Sequence, residues 1–222
     1  MLSLSVGDSV QPLHSVLCLG AHCDDIEIGC GATVLRLAER FPDAAFHWVV
    51  LSSSPIRGAE AKASADRFLH GVKQRHIEIK EFRNSFFPFE GARIKEYFEE
   101  LKGRVTPDLV LTHTRGDLHQ DHRLTCELTW NTFRDHLILE YEIPKYDGDL
   151  GAPNFFVPVT VEQCDAKVSS ILECFASQND KAWFTRDTFM ALMRLRGVEC
   201  NSPSLYAEAF YCRKSTLGLE PI

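Results

Sequence analysis

The sequence predicts an α/β protein: a Rossmann-like, mostly parallel sheet with helices on both faces and a C-terminal α/β lobe. Three observations predict it. Short apolar runs alternate with stretches of helical periodicity along most of the chain. The helical stretches run to about 12–15 residues, the length of a right-handed crossover between parallel strands. With 222 residues and 45% hydrophobic composition, the chain can bury a sizeable core, so one domain is expected over residues 1–222.

The elements follow in order. "HSVLCLGA" is a buried strand, and "IGCGATVLRLAERF" is a helix ended near Pro42. "AFHWVVLSSS" is a second strand closed by Ser and Pro55, and "GAEAKASADRFLHGV" is an Ala-rich helix that ends at Gly71. "RHIEIKEF" alternates as a strand does, and "GARIKEYFEELKGRV" has helical spacing. "PDLVLTHT" is an apolar strand entered through Pro107, followed by the helix "RLTCELTWNTFRDH" and the strand "LILEYEI". The Gly- and Pro-rich "PKYDGDLGAPNFFVP" is expected as a long loop. Two helices, "VEQCDAKVSSILECFASQ" and "TRDTFMALMRLRGVE", and a closing strand in "LYAEAFYC" complete the chain.

Composition excludes some function classes. A formal net charge of −7 argues against nucleic acid or an anionic membrane as the main partner. No stretch approaches the roughly 18 apolar residues of a membrane span. The N-terminal "MLSLSVGDSVQPLH" has neither a basic n-region nor a long apolar h-region, so no signal peptide is expected and the protein is placed in the cytoplasm. Eight cysteines are present without a C-x-x-C pair, so they are expected to be reduced and mostly buried as small apolar residues.

Ionisable residues concentrate after two strands, where ligands bind in open parallel sheets. The first run, "GAHCDDIEIGCGA", holds His22, Asp24, Asp25 and Glu27; the second, "RGDLHQDH", holds Asp117, His119, Asp121 and His122. Three carboxylates so close together repel one another, and a cation relieves that repulsion. His22 and Asp25, at i and i+3, with a histidine from the second run, make a donor set suited to Zn²⁺ with a fourth position left for water. Asp24, beside a ligand, could accept that water's proton. The bland reading is that "DD" caps a helix and that the loop histidines are solvated. The spacing excludes an EF-hand, and Gly29 and Gly31 lack the third glycine of a dinucleotide fingerprint.

The two runs also carry a resemblance. "AHCDDIEIGCGA" is similar to the "AHPDDE-x-x-GCGG" signature of the PIG-L/LmbE-like N-deacetylases, and "HQDH" resembles that family's "HPDH". Weaker likenesses lie in "SSSPIRGAEAKASADRFL", "SQNDK" and "YAEAF". The resemblance implies zinc-dependent removal of an N-acetyl group from an amino sugar, with one zinc, or another divalent ion exchanged for it, per chain. Position by position it implies His22, Asp25 and His122 as metal ligands and Asp24 as general base. His119 is implied as the group that stabilises the oxyanion or assists as acid, and Arg57 as a substrate-binding residue that could pair with a carrier phosphate. The implied partner is a small N-acetyl amino sugar; the lack of a membrane span and of a basic amphipathic helix in the sequence favours a nucleotide or other soluble carrier for it over a lipid anchor. "GAPNFFVPV" is open as a pocket wall or a homo-oligomer contact. Lys145, Tyr146 and Asp147 are loop candidates for sugar or phosphate contacts, or a solvated turn.

This chain departs from the pattern at Cys23 and Gln120, which stand where the family has Pro, and at Ile26, which moves the acid one place on to Glu27. A Cys23 thiolate could compete for zinc. "FRNSFFPF" stands where the family's acidic substrate contact is usual, which leaves the substrate open rather than the reaction. Two other classes are weighed: a catalytically silent metal- or glycan-binding protein, which has no need of Asp24, and a two-metal phosphoesterase, which needs more bridging carboxylates.

Overall fold

A computed structural model of the protein describes residues 13–216. The signal-peptide reading rests on residues 1–14, most of which lie outside that range. The described residues form one mixed sheet of seven strands, in the order β3-β2-β1-β4-β5-β7-β6. These are β1 (Ser15–Gly20), β2 (Ala45–Val50), β3 (Gln74–Ile79), β4 (Leu109–His113), β5 (Leu137–Tyr141), β6 (Phe155–Pro158) and β7 (Ala207–Cys212). The helices are α1 (Asp25–Arg40), α2 (Pro55–Phe68), α3 (Gly91–Arg104), α4 (Gln120–Thr132), α5 (Val161–Cys174) and α6 (Arg186–Glu199). The first five strands pair in parallel, whereas β7 runs antiparallel to both β5 and β6. The expected C-terminal α/β part therefore continues the same sheet.

Alternation along each central strand feeds two core layers. Val16 and Cys18 of β1, Phe46, Trp48 and Val50 of β2, and Leu109 and Leu111 of β4 face the layer that holds α1, α2 and α5. Leu17 and Leu19, Val49, and Val110 face the opposite layer with α3. Burial on both faces explains why these strands read as continuous apolar runs. Each such side chain contributes about 1.5–3 kcal/mol on burial. At the strand entries, Asp108 accepts hydrogen bonds from the backbone N–H groups of His14 and Ser15 at 2.6 and 2.9 Å, which ties the start of β1 to that of β4.

Several boundaries differ from the sequence expectation, each for a local reason. Ser54 caps α2 and Pro55 occupies its first turn, so the helix begins three residues before Gly58. The stretch expected as an unbroken loop, Pro144 to Pro158, contains β6, a four-residue edge strand whose Pro158 needs no ladder donor. α1 begins at Asp25, ahead of the expected Ile28, and is interrupted at Cys30, where φ is −145°. There the Glu208 carboxylate of β7 accepts from the N–H groups of Ala32 and Thr33 at 3.0 and 2.6 Å. The Lys167 ammonium of α5 donates to Ile28 O at 2.7 Å and to Glu208 at 2.6 Å. The buried ion pair thus takes up the backbone groups that the interruption frees.

All eight cysteines are free, five of them buried. Among the described residues no helix is long and apolar enough to cross a membrane.

The glycines of "GCG" make close approaches. A Cβ on Gly29 meets the Tyr141 ring at 2.1 Å, whereas one on Gly103, in the last turn of α3, meets nothing within 4 Å. Gly29→Ala should lower stability by about 1–3 kcal/mol through overpacking. Gly103→Ala should raise it by about 0.5–1 kcal/mol. Urea unfolding of both variants measures the contrast, and an unchanged Gly29→Ala would show that the Tyr141 ring is free to move aside.

Candidate active site

Sheet order reverses direction between β1 and β4, and the segments that follow those two strands carry both ionisable runs. α1 leaves β1 on one face and α4 leaves β4 on the other, so the two helix starts flank the crevice at the switch point. His22, Asp24 and Asp25 come from the first start, and His119 and His122 from the second.

Three electron-pair donors converge there. His22 Nδ1 lies 3.3 Å from Asp25 Oδ2, His122 Nε2 lies 3.5 Å from the same oxygen, and the two ring nitrogens are 3.0 Å apart. The remaining ring nitrogens are turned outward to carboxylates. His122 Nδ1 is 2.9 Å from Asp117 Oδ2, and His22 Nε2 is 3.2 Å from Asp121 Oδ2. These contacts place a proton on the outward nitrogen of each ring, so the inward nitrogen is the one that can offer a lone pair, on His22 once its second proton has left. The donor chemistry and the spacing both fit a tetrahedral cation, because ligand distances near 2.0–2.1 Å put neighbouring donor atoms about 3.3–3.4 Å apart.

The surroundings of the convergence are built from distant parts of the chain. Asp121 is itself fixed by N–H groups of Ser85 and Phe87 at 2.6 and 3.1 Å, which seats the "FRNSFFPF" loop against the site. Lys145 lies 3.0 Å from Asp117 and 2.5 Å from Asp149. His113 backs Asp25: its Nε2 is 3.1 Å from Asp25 Oδ2, accepts the Ala21 N–H at 3.0 Å, and lies 3.2 Å from the Tyr141 hydroxyl. His113 could also be grouped with Asp25 and His122 as a donor set, but its Nε2 lone pair already accepts the Ala21 N–H. His113 and Tyr141 were missed from the sequence. The available signal was His113 at the C-terminal end of a predicted strand, beside the second run.

Electrostatics follow from these contacts. Burial works against ionising Asp25, yet the His122, His22 and His113 rings hold it well below the usual carboxylate range. Burial also opposes charge on His22, but Asp25 and Asp121 push it up to about 9. Burial and the neighbouring His113 hold His122 down to about 3. Of these two rings it is therefore His22, and not His122, that holds a second proton. Glu27, two residues from Asp25, is fully buried with no hydrogen-bond partner for either oxygen, and burial pushes its pKa well above normal. The three acids of the first run thus have separate fates.

Asp24 is the N-cap residue of α1, but its side chain makes no capping bond. Its Oδ1 instead accepts from Arg57 Nη2 at 2.6 Å. Burial raises its pKa, against the pull of Arg57. His119 caps α4, its Nδ1 accepting the Asp121 N–H at 3.2 Å, so the neutral ring carries its proton on Nε2. Burial and His22 lower its pKa. The His119 ring is 4.8 Å from that of His22, close enough to form an alternative group with His22 and His122. Cys23 is turned away: its buried Sγ donates to Ser52 O at 3.3 Å and burial pushes its pKa up to about 12, so it offers no thiolate to the centre.

A cavity of about 320 Å³ opens over the centre, walled by Arg57, Asn84, Ser85, His119, Lys181 and Trp183. Lys145, Tyr146 and Asp147 also line it, so the loop after β5 is a cavity wall and not only a solvated turn. No residue of "GAPNFFVPV" lines it, and Phe155–Pro158 of that run form the edge strand β6.

A family model described as PIG-L, GlcNAc-PI de-N-acetylase, matches residues 17–133, which carry both runs. Among solved structures, the chain is similar to a conserved protein from Thermus thermophilus, with 18% identity, a TM-score of 0.69, and coverage of 93% of this chain and 97% of that one. It is also similar to N,N'-diacetylchitobiose deacetylase from Pyrococcus horikoshii, with 20% identity, a TM-score of 0.65, and coverage of 89% and 83%. A third is GalB, the 4-carboxy-2-hydroxymuconate hydratase of Pseudomonas putida, with 17% identity, a TM-score of 0.69, and coverage of 95% and 100%. At these identities the structural likenesses establish the fold. The family match spans more than half of the 222 residues and includes His22, Asp24, Asp25, Arg57, His119 and His122, and on it the chain belongs to the PIG-L de-N-acetylase family.

Proposed function

We propose that the protein is a cytoplasmic, zinc-dependent hydrolase that removes the N-acetyl group from an N-acetylated amino sugar held on a nucleotide or another soluble carrier. One observation carries the reading: two imidazole nitrogens and a carboxylate oxygen converge within 3.5 Å, with Asp24 beside them on the cavity wall. Family membership and the chitobiose deacetylase likeness support an amide on an amino sugar. The hydratase likeness means that the fold alone does not fix the reaction, so the assignment rests on the site.

His22, Asp25 and His122 are the residues that would hold the metal. When bound there, zinc supplies Lewis-acid polarisation of the acyl oxygen and a water of lowered pKa. The chain's own groups do the rest. Asp24 Oδ2 has no protein hydrogen-bond partner among the described residues, so it is free to accept the proton of the attacking water while Arg57 holds Oδ1. His119, with Nδ1 held by the Asp121 N–H, presents Nε2–H to the oxygen that gains charge, a donor of a kind worth about 2.7–4 kcal/mol. Asp24 then returns the proton to the departing amine, and acetate and a free amino sugar leave. A silent binding protein has no use for a carboxylate held beside the donors, which is why the enzymatic reading is preferred.

The direct test is acetate release by zinc-loaded protein from a panel of free, nucleotide-linked and lipid-linked N-acetyl sugars. Acetate and free amine should appear in equal amounts. Sugar binding without release leaves the silent-binder reading, and water addition to an unsaturated acid without acetate release removes the reaction class. Asp24→Asn should keep the metal while kcat falls by roughly 10²–10⁴. Loss of zinc along with activity would make Asp24 a ligand instead.

Metal binding should be stoichiometric and should be lost in His122→Ala. Below about pH 9 the Asp25 and Asp121 carboxylates keep a proton on His22, and zinc binding displaces it. Apparent affinity should therefore rise about tenfold per pH unit and level off above the His22 pKa. Calorimetry in buffers of different ionisation enthalpy should count about one proton released per zinc near neutral pH. A count of zero would remove His22 from the ligand set.

A further inference from the structure

Three lysine and arginine side chains line the cavity over the centre, and two of them are already matched by acids. Arg57 donates to Asp24 at 2.6 Å, and Lys145 lies between Asp117 and Asp149 at 3.0 and 2.5 Å. Lys181 is different. Its Nζ donates to the neutral side-chain oxygen of Gln178 at 2.5 Å and stands 5.7 Å from the centre of the Trp183 ring. Among the described residues it has no carboxylate partner.

The backbone that presents Lys181 is tied down. The Lys181 N–H donates to Gln178 O at 3.1 Å, and the Phe184 N–H donates to Lys181 O at 3.0 Å. Just before it, Ser177 bonds Glu60 of α2 through its N–H at 2.9 Å and its hydroxyl at 2.6 Å. Trp183 is held edge-on against Phe184 and Phe189, with centroids 5.7 and 6.3 Å away. An ammonium and a half-buried indole thus stand together on a fixed turn of the cavity wall.

This combination selects a ligand chemistry. An ammonium with only a neutral partner can gain a charge-assisted hydrogen bond from an anion without giving up an ion pair. The indole offers an apolar face to a ring beside it. In a chain of net charge −7, a local cation at the mouth also offsets the general repulsion of an anionic substrate. We propose that Lys181, seated beside Trp183, reads an anionic substituent, a phosphoryl or carboxylate group, on the substrate. The assignment rests on the amino-sugar reading above and gives Lys181 the anion contact that the sequence suggested for Arg57, whose Nη2 is engaged by Asp24.

Product binding tests this without any turnover. Zinc-loaded protein is titrated calorimetrically with glucosamine, glucosamine 1-phosphate, glucosamine 6-phosphate and a 2-amino-2-deoxyuronate. At least one anionic form should bind about tenfold tighter than glucosamine, with the preference shrinking as salt is raised. The phosphate and uronate arms show which anion is read. The ratio of anionic to neutral affinity should collapse towards one in Lys181→Met and persist in Lys181→Arg, with thermal unfolding confirming that both variants are folded. In kinetics the same collapse should appear in KM rather than kcat. Equal binding of charged and neutral sugars, no binding of any anionic form, or a preference that survives Lys181→Met overturns the proposal. A Lys181-dependent preference without acetate release from any N-acetyl sugar would leave the anion subsite standing and overturn the deacetylase reading instead.

Discussion

The parallel pairing of β1 with β4 is the constraint on which the site depends. It sets Val16 beside Leu109 and Cys18 beside Leu111, so the two strands end side by side. Their helices then depart to opposite faces of the sheet. That divergence brings residues about a hundred positions apart to a separation of 3.0 Å between ring nitrogens. A slip of one residue in the ladder would turn every side chain of a strand to the other face and misplace both runs at once.

Above that constraint the site is an exercise in unlike environments for like groups. Asp25 and Glu27 are both buried acids in the first turn of one helix. Three imidazoles hold the first ionised, whereas the second has no partner and is driven towards its neutral form. Asp117 and Asp121 differ again. Each is ionised against a histidine, and each fixes which nitrogen of its partner faces the centre. The charge density of the two runs is therefore distributed by position, and only part of it is left for a cation to satisfy.

Much of this was legible in the sequence because it is periodic or local. Alternation with period two marked the central strands, helical spacing marked the helices between them, and the rule that ligands sit at strand ends pointed to the two runs. His22, Asp24, Asp25, His119 and His122 are found together as those patterns suggested. What escaped was set by contacts between distant segments. β6 is too short to show a period, and its strand character comes from β7, some fifty residues later. His113 was read only as part of a strand, although its place behind Asp25 depends on the β1–β4 register. The start of α1 escapes because the acidic run reads as a site apart from the helix, whereas Asp25 and Glu27 form the first turn of α1.

The gap in α1 at Cys30 ties the chemistry to the far end of the chain. The carboxylate that fills it belongs to Glu208 and the ammonium to Lys167, although neither touches the converging donors. Both lie beyond residue 133, where the family match ends. The donor set and the unit that folds it are thus different lengths of chain. In modular terms, the first 133 residues hold every proposed ligand but are not a transplantable part, because the helix that starts at Asp25 is completed by a strand that arrives 176 residues after Ala32.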